Sequence, residues 1–276
     1  RTAIDARRLV VPFGAFASQV NPAVYRTVTR PLIYNMGQRV HDGQIGDPVL
    51  PMPYADEGLN ISSSLQLTEE LHATLDTYVV NGLQGGNDGI DFDLSRDYVD
   101  NNRTPTTGGR VTLGTRRLRI GGSVAGGRFG ANGPSDVDAR GLNYMLYGGD
   151  ISYRFEDLFR FQFEYAQRNT DRIAEIPDPT RIREQVGGYY FESEMLLSRI
   201  YRINFLARYD SQSRSSLATV PESDLPTGNF TVRRFTYGIN WTLPGGSLLM
   251  VNHEHWMMPH ELHNVDVLGV RWAVTF

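Results

Sequence analysis

Between Leu158 and Arg168 the chain reads L-F-R-F-Q-F-E-Y-A-Q-R, with Phe159, Phe161, Phe163 and Tyr165 on one parity and Arg160, Gln162, Glu164 and Arg168 on the other. A period of two is the mark of a strand with one apolar and one polar face. The pattern recurs. Tyr201, Ile203, Phe205, Ala207 and Tyr209 alternate with mostly polar neighbours, as do Phe235, Tyr237, Ile239, Trp241 and Leu243. Leu268, Val270, Trp272, Val274 and Phe276 repeat it at the end of the chain. Segments of this kind predict about twelve strands, at 3–13, 58–67, 71–82, 108–115, 118–127, 142–154, 159–168, 187–197, 200–210, 229–243, 247–257 and 264–276.

Short turns, such as Phe155-Glu156-Asp157-Leu158 and Pro244-Gly245-Gly246, alternate with long polar loops near 84–107, 128–140, 169–185 and 211–228. A soluble β-sandwich also alternates. It has no reason to sort its loops by length, or to match its strands to the ~9–11 residues of a tilted bilayer crossing. The sequence therefore predicts an all-β fold, a transmembrane antiparallel up-and-down β-barrel. Residues 1–276 would form one domain with about twelve strands visible, either complete or part of a larger barrel such as a sixteen-stranded one. The aromatic-rich apolar parity suits the girdles of a bilayer interface.

Composition narrows the function. The net charge of −4 gives no footprint for nucleic acid. Cysteine is absent, which removes disulfides, thiolate metal sites and cysteine nucleophiles. All 27 basic residues are arginine, so every cation is a permanently charged planar fork. The mean hydropathy of −0.35 is no objection to a membrane wall, because only alternate residues meet lipid. The chain starts at Arg1 without a signal-peptide pattern, as a processed or incomplete form would.

Two short motifs carry a family resemblance. Val270, Trp272, Val274 and Phe276 resemble the C-terminal strand of Gram-negative outer-membrane proteins, with hydrophobic residues at every second position before a terminal Phe. The resemblance implies recognition by the barrel-assembly machinery. Arg8-Leu9-Val10-Val11-Pro12-Phe13-Gly14 resembles the G-R-F-x-x-P-F-G signature of porins of the phosphate-selective O/P-type family, and Asn21-Pro22 and Arg30-Pro31-Leu32-Ile33-Tyr34 resemble that group's first long loop. Phosphate selectivity there goes with lysine, which this chain lacks, so that property is not implied. The family also has more strands, so either this barrel is a twelve-stranded version or N-terminal strands are missing.

In an open barrel, strand parity sends Arg110, Arg119, Arg154, Arg160, Arg168, Arg202, Arg208, Arg234 and Arg271 inward as pore-lining cations. The inward acids are Asp76, Asp150, Glu164, Glu192, Glu194, Asp210 and Glu254. The slight basic excess leans toward anions, while pairing across strands would leave only a solvated wall. One bulge would invert the parity beyond it. Residues 14–57 are too long and aperiodic for an ordinary connection. They fold into the lumen as a constriction or lid, or they form an outer platform or subunit contact. In the first case alone, Arg26, Arg30, Arg39, Asp42, Asp47 and Asp56 are candidate constriction charges.

The stretch HEHWMMPHELH, His253–His263, holds four of six histidines. Neither His253-Glu254-His255 nor His260-Glu261-Leu262-His263 has the H-E-x-x-H spacing of a zinc protease. In a strand, His253 and His255 share an outward face, which suits either an interfacial rim or a metal; no metal, cofactor or catalytic residue is assigned. The expected function is an outer-membrane porin, a passive diffusion channel for small hydrophilic solutes and ions. The alternative is an occluded barrel serving as shell or anchor in an envelope complex. Outer-membrane lipid, lipopolysaccharide and the assembly machinery are the expected partners, and the class admits homo-oligomers.

Overall fold

The computed structural model describes residues 1–16, 25–35, 48–86, 89–96, 104–130, 141–174, 180–216, 229–243, 246–259 and 263–274. The elements run β1 (Thr2–Val10), α1 (Leu32–Asn35), β2 (Ala55–Gln66), β3 (His72–Val80), β4 (Gln84–Gly86), β5 (Gly89–Asp91), β6 (Thr106–Gly114) and β7 (Leu118–Arg128). They continue with β8 (Asn143–Phe155), β9 (Phe159–Ala174), β10 (Thr180–Ser198), β11 (Ile203–Ser216), β12 (Phe230–Thr242), β13 (Leu248–Met257) and β14 (Val265–Ala273).

All strands except the small β4–β5 hairpin form one twelve-stranded antiparallel sheet. Each strand pairs with its neighbour in sequence, the up-and-down order of an outer-membrane β-barrel. Connections at 67–71, 115–117, 156–158, 199–202 and 243–247 make the short-turn end. The long connections leave from the other. Sequence neighbours pair because a period-two strand followed by a tight turn is already placed to close an antiparallel ladder.

The ladders keep parity almost throughout. A register shift occurs at Leu196/Ser198, beside a turn, so inward and outward assignments persist along whole strands. Phe163, Tyr189, Phe191 and Tyr209 form a continuous aromatic patch on the outer face, with the Phe191 and Tyr209 rings stacked at 5.5 Å. Exposed aromatic and aliphatic side chains of this kind are the face a bilayer covers.

Three strands run further than the alternation indicates. β9, β10 and β11 reach Ala174, begin at Thr180 and reach Ser216, so much of what reads as the loops 169–185 and 211–228 is strand. Polar residues stand on both faces there, with Ile173 among them joining the buried cluster. Asp171 faces Arg183 across the ladder, Arg181 also pairs with Asp171, and Glu184 pairs with Arg214. Arg202 is a second correction: it sits in the 199–202 turn with a left-handed φ of 49°, not on a strand.

β1 and β14 are the two edges of the sheet, and among the described residues no ladder joins them. Ile4, Leu268 and Trp272 on the edges are 68 %, 72 % and 68 % exposed, against 39 % for Val251 one strand inward, as expected for outward side chains with a neighbour on one side only.

Candidate functional site: the lumen and its inserted segment

The described parts of the connection between β1 and β2 lie against the inner face of the sheet, where they build an interior. Phe13, Phe16, Tyr25, Ile33, Tyr34, Val49, Leu50, Met52 and Tyr54 are buried in one cluster with the inward residues Tyr78, Tyr144, Leu146, Ala166, Val186 and Tyr190. Phe16 is the centre, with ring contacts to Tyr25 at 5.1 Å, Tyr34 at 5.5 Å and Tyr190 at 6.3 Å. Small inward residues make room: a Cβ on Gly148 would lie 2.9 Å from the Phe13 ring, and one on Gly188 2.9 Å from Ile33. The segment is folded on itself as well, since Val49 N donates to Ile33 O at 2.9 Å and Arg30 Nη1 to Met52 O at 2.9 Å.

Three carboxylates of the wall hold the segment by its backbone and hydroxyls. Glu164 on β9 accepts from Ala15 N (3.2 Å), Phe16 N (3.1 Å), the Tyr190 hydroxyl (3.0 Å) and the Tyr34 hydroxyl. Burial pushes the Tyr34 phenol well above the ordinary tyrosine range, so it remains a donor. Asp210 on β11 accepts from Leu32 N at 3.0 Å. Glu254 on β13 accepts from the Thr29 hydroxyl, while neighbouring Asn252 accepts from Val28 N at 2.6 Å.

Three arginines answer from the same wall. Arg208 donates to Thr29 O at 3.1 Å and Arg30 O at 3.3 Å, and also to the Thr27 hydroxyl. Arg234 donates to Arg30 O at 2.6 Å and lies over the Trp256 ring at 4.8 Å. Both also bond Asp210, at 2.9 and 3.1 Å. Arg168 donates to Pro48 O at 3.1 Å and Val49 O at 3.3 Å and covers the Phe92 ring at 4.9 Å. These guanidinium groups satisfy carbonyls that a non-helical segment would leave unpaired in a dry interior.

The charges that parity sends inward thus divide into groups. Arg168, Arg208 and Arg234 are 2 %, 1 % and 0 % exposed, and they meet protein, not a water-filled pore. Glu164, Asp210 and Glu254 share that role. Arg110 makes a two-pronged pair with Asp150 at 2.6 and 3.0 Å, behind the segment. Arg160 pairs with Glu192, and Arg271 lies over the Tyr25 ring at 5.6 Å. Arg119 and Arg154 are exposed at the short-turn end. Of the segment's own candidates, Arg26 lies 3.5 Å from Glu194, and Arg30 joins the segment's internal bonds. Asp56, the second residue of β2, accepts from Gly82 N at 2.6 Å. Arg39, Asp42, Asp47 and Phe276 lie outside the described residues. On β14, Val270 and Trp272 are exposed on the outer face, and Val274 follows on their parity.

Read as a long polar loop, the β3–β6 connection also places residues inside the wall. Leu83, Ile90 and Phe92, around β4 and β5, join the buried cluster, and Gly85 N bonds Phe129 O at 2.9 Å. The spaced apolar residues in L-Q-G-G-N-D-G-I-D-F were the available signal. His253 and His255 face outward and share Asp266, at 3.3 and 2.9 Å, with Tyr237 on the His253 ring at 5.1 Å. Among the described residues no cluster of His, Asp and Glu is placed to hold a metal ion.

No protein-family model and no curated protein sequence matches the chain. Among solved structures it is similar to the G324V mutant of the ferric enterobactin receptor of Pseudomonas aeruginosa, at 12 % identity and a TM-score of 0.45. The match covers 79 % of this chain and 38 % of the receptor, so the chain spans well under half of that protein.

Proposed function

We propose that the protein is an outer-membrane porin in which residues 14–57 narrow a passive channel for small hydrophilic solutes and ions, with a weak preference for anions. One observation carries the reading. The inner face stays polar and half-open to water on the halves of β1, β2, β3 and β6 that lie toward the short-turn end. Asp5, Ser62, Thr74, Asp76 and Thr112 on β1, β2, β3 and β6 face inward and are only partly buried. Around Phe16, by contrast, the wall is buried and largely apolar. The exposed Arg119 and Arg154 at the short-turn mouth support the lean toward anions. No catalytic role is assigned. The exposed Val270, Trp272 and Val274 suit recognition by the assembly machinery, and the outer aromatic face suits lipid and lipopolysaccharide.

The occluded barrel is the second reading, favoured by the buried aromatic cluster inside the wall. Planar-bilayer recording separates the two. A stable single-channel conductance that rises when 14–57 is shortened supports the porin. A silent barrel that co-purifies with envelope partners supports the shell and overturns the porin.

A further inference from the structure

Most acids that face the interior are answered there. Asp150, Glu192, Glu194, Asp210 and Glu254 each have an arginine partner. Glu164 is taken up by four donors from the segment and the wall. Asp76 on β3 is different. Its side chain faces inward and is half-buried, and among the described residues it makes neither an ion pair nor a hydrogen bond.

The register explains this. Across the ladders Asp76 stands between Ser62 of β2 and Arg110 of β6. Directly opposite residues bring their Cβ atoms to about 5 Å on one face, so Arg110 is the cation placed to neutralise it. Arg110 turns the other way. Its fork reaches across β7 to Asp150 on β8, at 2.6 and 3.0 Å, and its Nη1 also donates to Ser123 at 2.9 Å. Gly121 on β7 leaves room for that reach, since a Cβ there would lie 2.6 Å from Asp150 Oδ2. The two-pronged pair cancels the Arg110 charge, and nothing from β6 is left for Asp76. On the next rung toward the short-turn end stand only hydroxyls, Thr74 and Thr112. Arg7, inward on β1, lies beside Asp5 at 3.4 Å.

We propose that Asp76 is a selectivity-determining residue, a fixed carboxylate that draws small cations, inorganic or ammonium, along the half-open side of the lumen formed by β1, β2, β3 and β6. The inference rests on the porin reading and deepens it. A fixed charge attracts cations and repels anions at the same place, so it enters a permeability ratio twice. Arg119 and Arg154, exposed at the short-turn mouth, act in the opposite sense. The lean toward anions is weak because Asp76 opposes it from within the wall. Its influence falls as salt rises, because the screening length shortens from about 10 Å at 0.1 M to about 3 Å at 1 M.

The test is the reversal potential of the full chain in a planar bilayer, under a potassium chloride gradient at low ionic strength. Asp76→Asn should raise the chloride-to-potassium permeability ratio by about threefold, the factor that about 0.7 kcal/mol of differential attraction produces. Asp76→Glu keeps the charge and should keep the wild-type ratio. So should Glu57→Gln, which removes an acid from the outer face of the neighbouring strand β2. Asp76→Cys introduces the chain's one cysteine and should behave as Asp76→Asn does. An anionic methanethiosulfonate reagent should then return its ratio toward wild type, and a cationic one should raise it further. Both shifts are read on one folded protein, so a folding defect cannot produce them. An open wild-type channel whose ratio is unchanged in Asp76→Asn, or an Asp76→Cys channel that neither reagent alters, overturns this inference and leaves the porin reading standing. A wild-type barrel that never conducts overturns both.

Discussion

Asp210 is the point where the wall's charges and the inserted segment depend on one another most. Its carboxylate accepts from Leu32 N at 3.0 Å, from Arg208 Nε at 2.9 Å, and from Arg234 Nε and Nη2 at 3.2 and 3.1 Å, all with side chains shut from solvent. Asp210→Asn keeps the shape but removes the charge and turns an amide donor toward two guanidinium groups. Removing one partner of a buried ion pair costs about 3–5 kcal/mol. Glu192 at 3.7 Å from Arg208 and Glu254 at 3.6 Å from Arg234 remain to compensate. The lower end, about 3 kcal/mol, is therefore expected, which is roughly two orders of magnitude in the unfolding equilibrium. The measurement is guanidinium unfolding of the refolded barrel in detergent, followed by tryptophan emission. Trp256, beneath Arg234, senses the site directly. Glu69→Gln, in the exposed 67–71 turn, is the control and should stay within about 0.5 kcal/mol of wild type. A loss for Asp210→Asn below about 1 kcal/mol would refute the claim that this pair of arginines is held by Asp210 in a dry interior.

Gly14→Ala should loosen the segment. Gly14 has φ of +66°, and a Cβ there would lie 2.0 Å from Glu164 Oε1 and 2.4 Å from the Tyr34 hydroxyl; left-handed strain alone is about 1–2 kcal/mol. Protease cleavage within 14–57 should accelerate, and an unchanged rate would contradict the contact. His253→Ala/His255→Ala should leave conductance and unfolding unchanged, because both rings lie on the outer face with Asp266; a changed conductance would place them in the pore instead. The β13–β14 register predicts that the ladder partners Val251→Cys/Val270→Cys cross-link under mild oxidation. Failure of that pair to cross-link would mean that the two strands pair in another register.

What was legible in the sequence followed the bilayer. Wherever one face of a strand meets lipid, as at Phe159–Tyr165 or Phe235–Trp241, alternation is strict, and the twelve strands and their parity can be read directly. Above the bilayer that constraint lapses. Asn169–Ala174 and Thr180–Gln185 are strands with polar residues on both faces, held by pairs such as Asp171 with Arg181, and no period marks them. Parity placed Arg168, Arg208 and Arg234 inward, but it carries no information on what they meet there. Their partners are backbone carbonyls of Thr29, Arg30, Pro48 and Val49, more than a hundred residues away in sequence. A carbonyl looks the same on every residue. Likewise, Arg202 read as a strand residue because Tyr201 continues the alternation into what is a turn.

The central claim, that the segment lies inside the wall, is tested most directly at Val28 and Gly269. A Cβ on Gly269 of β14 would lie 3.3 Å from the Val28 Cβ, close to the separation a disulfide spans, and the chain has no other cysteine to interfere. Val28→Cys/Gly269→Cys is predicted to form an internal disulfide in isolated outer membranes under mild oxidation, seen as a mobility shift that reductant reverses. Absence of that bond, in a double variant whose barrel has folded normally, would place the segment outside the lumen and contradict the account.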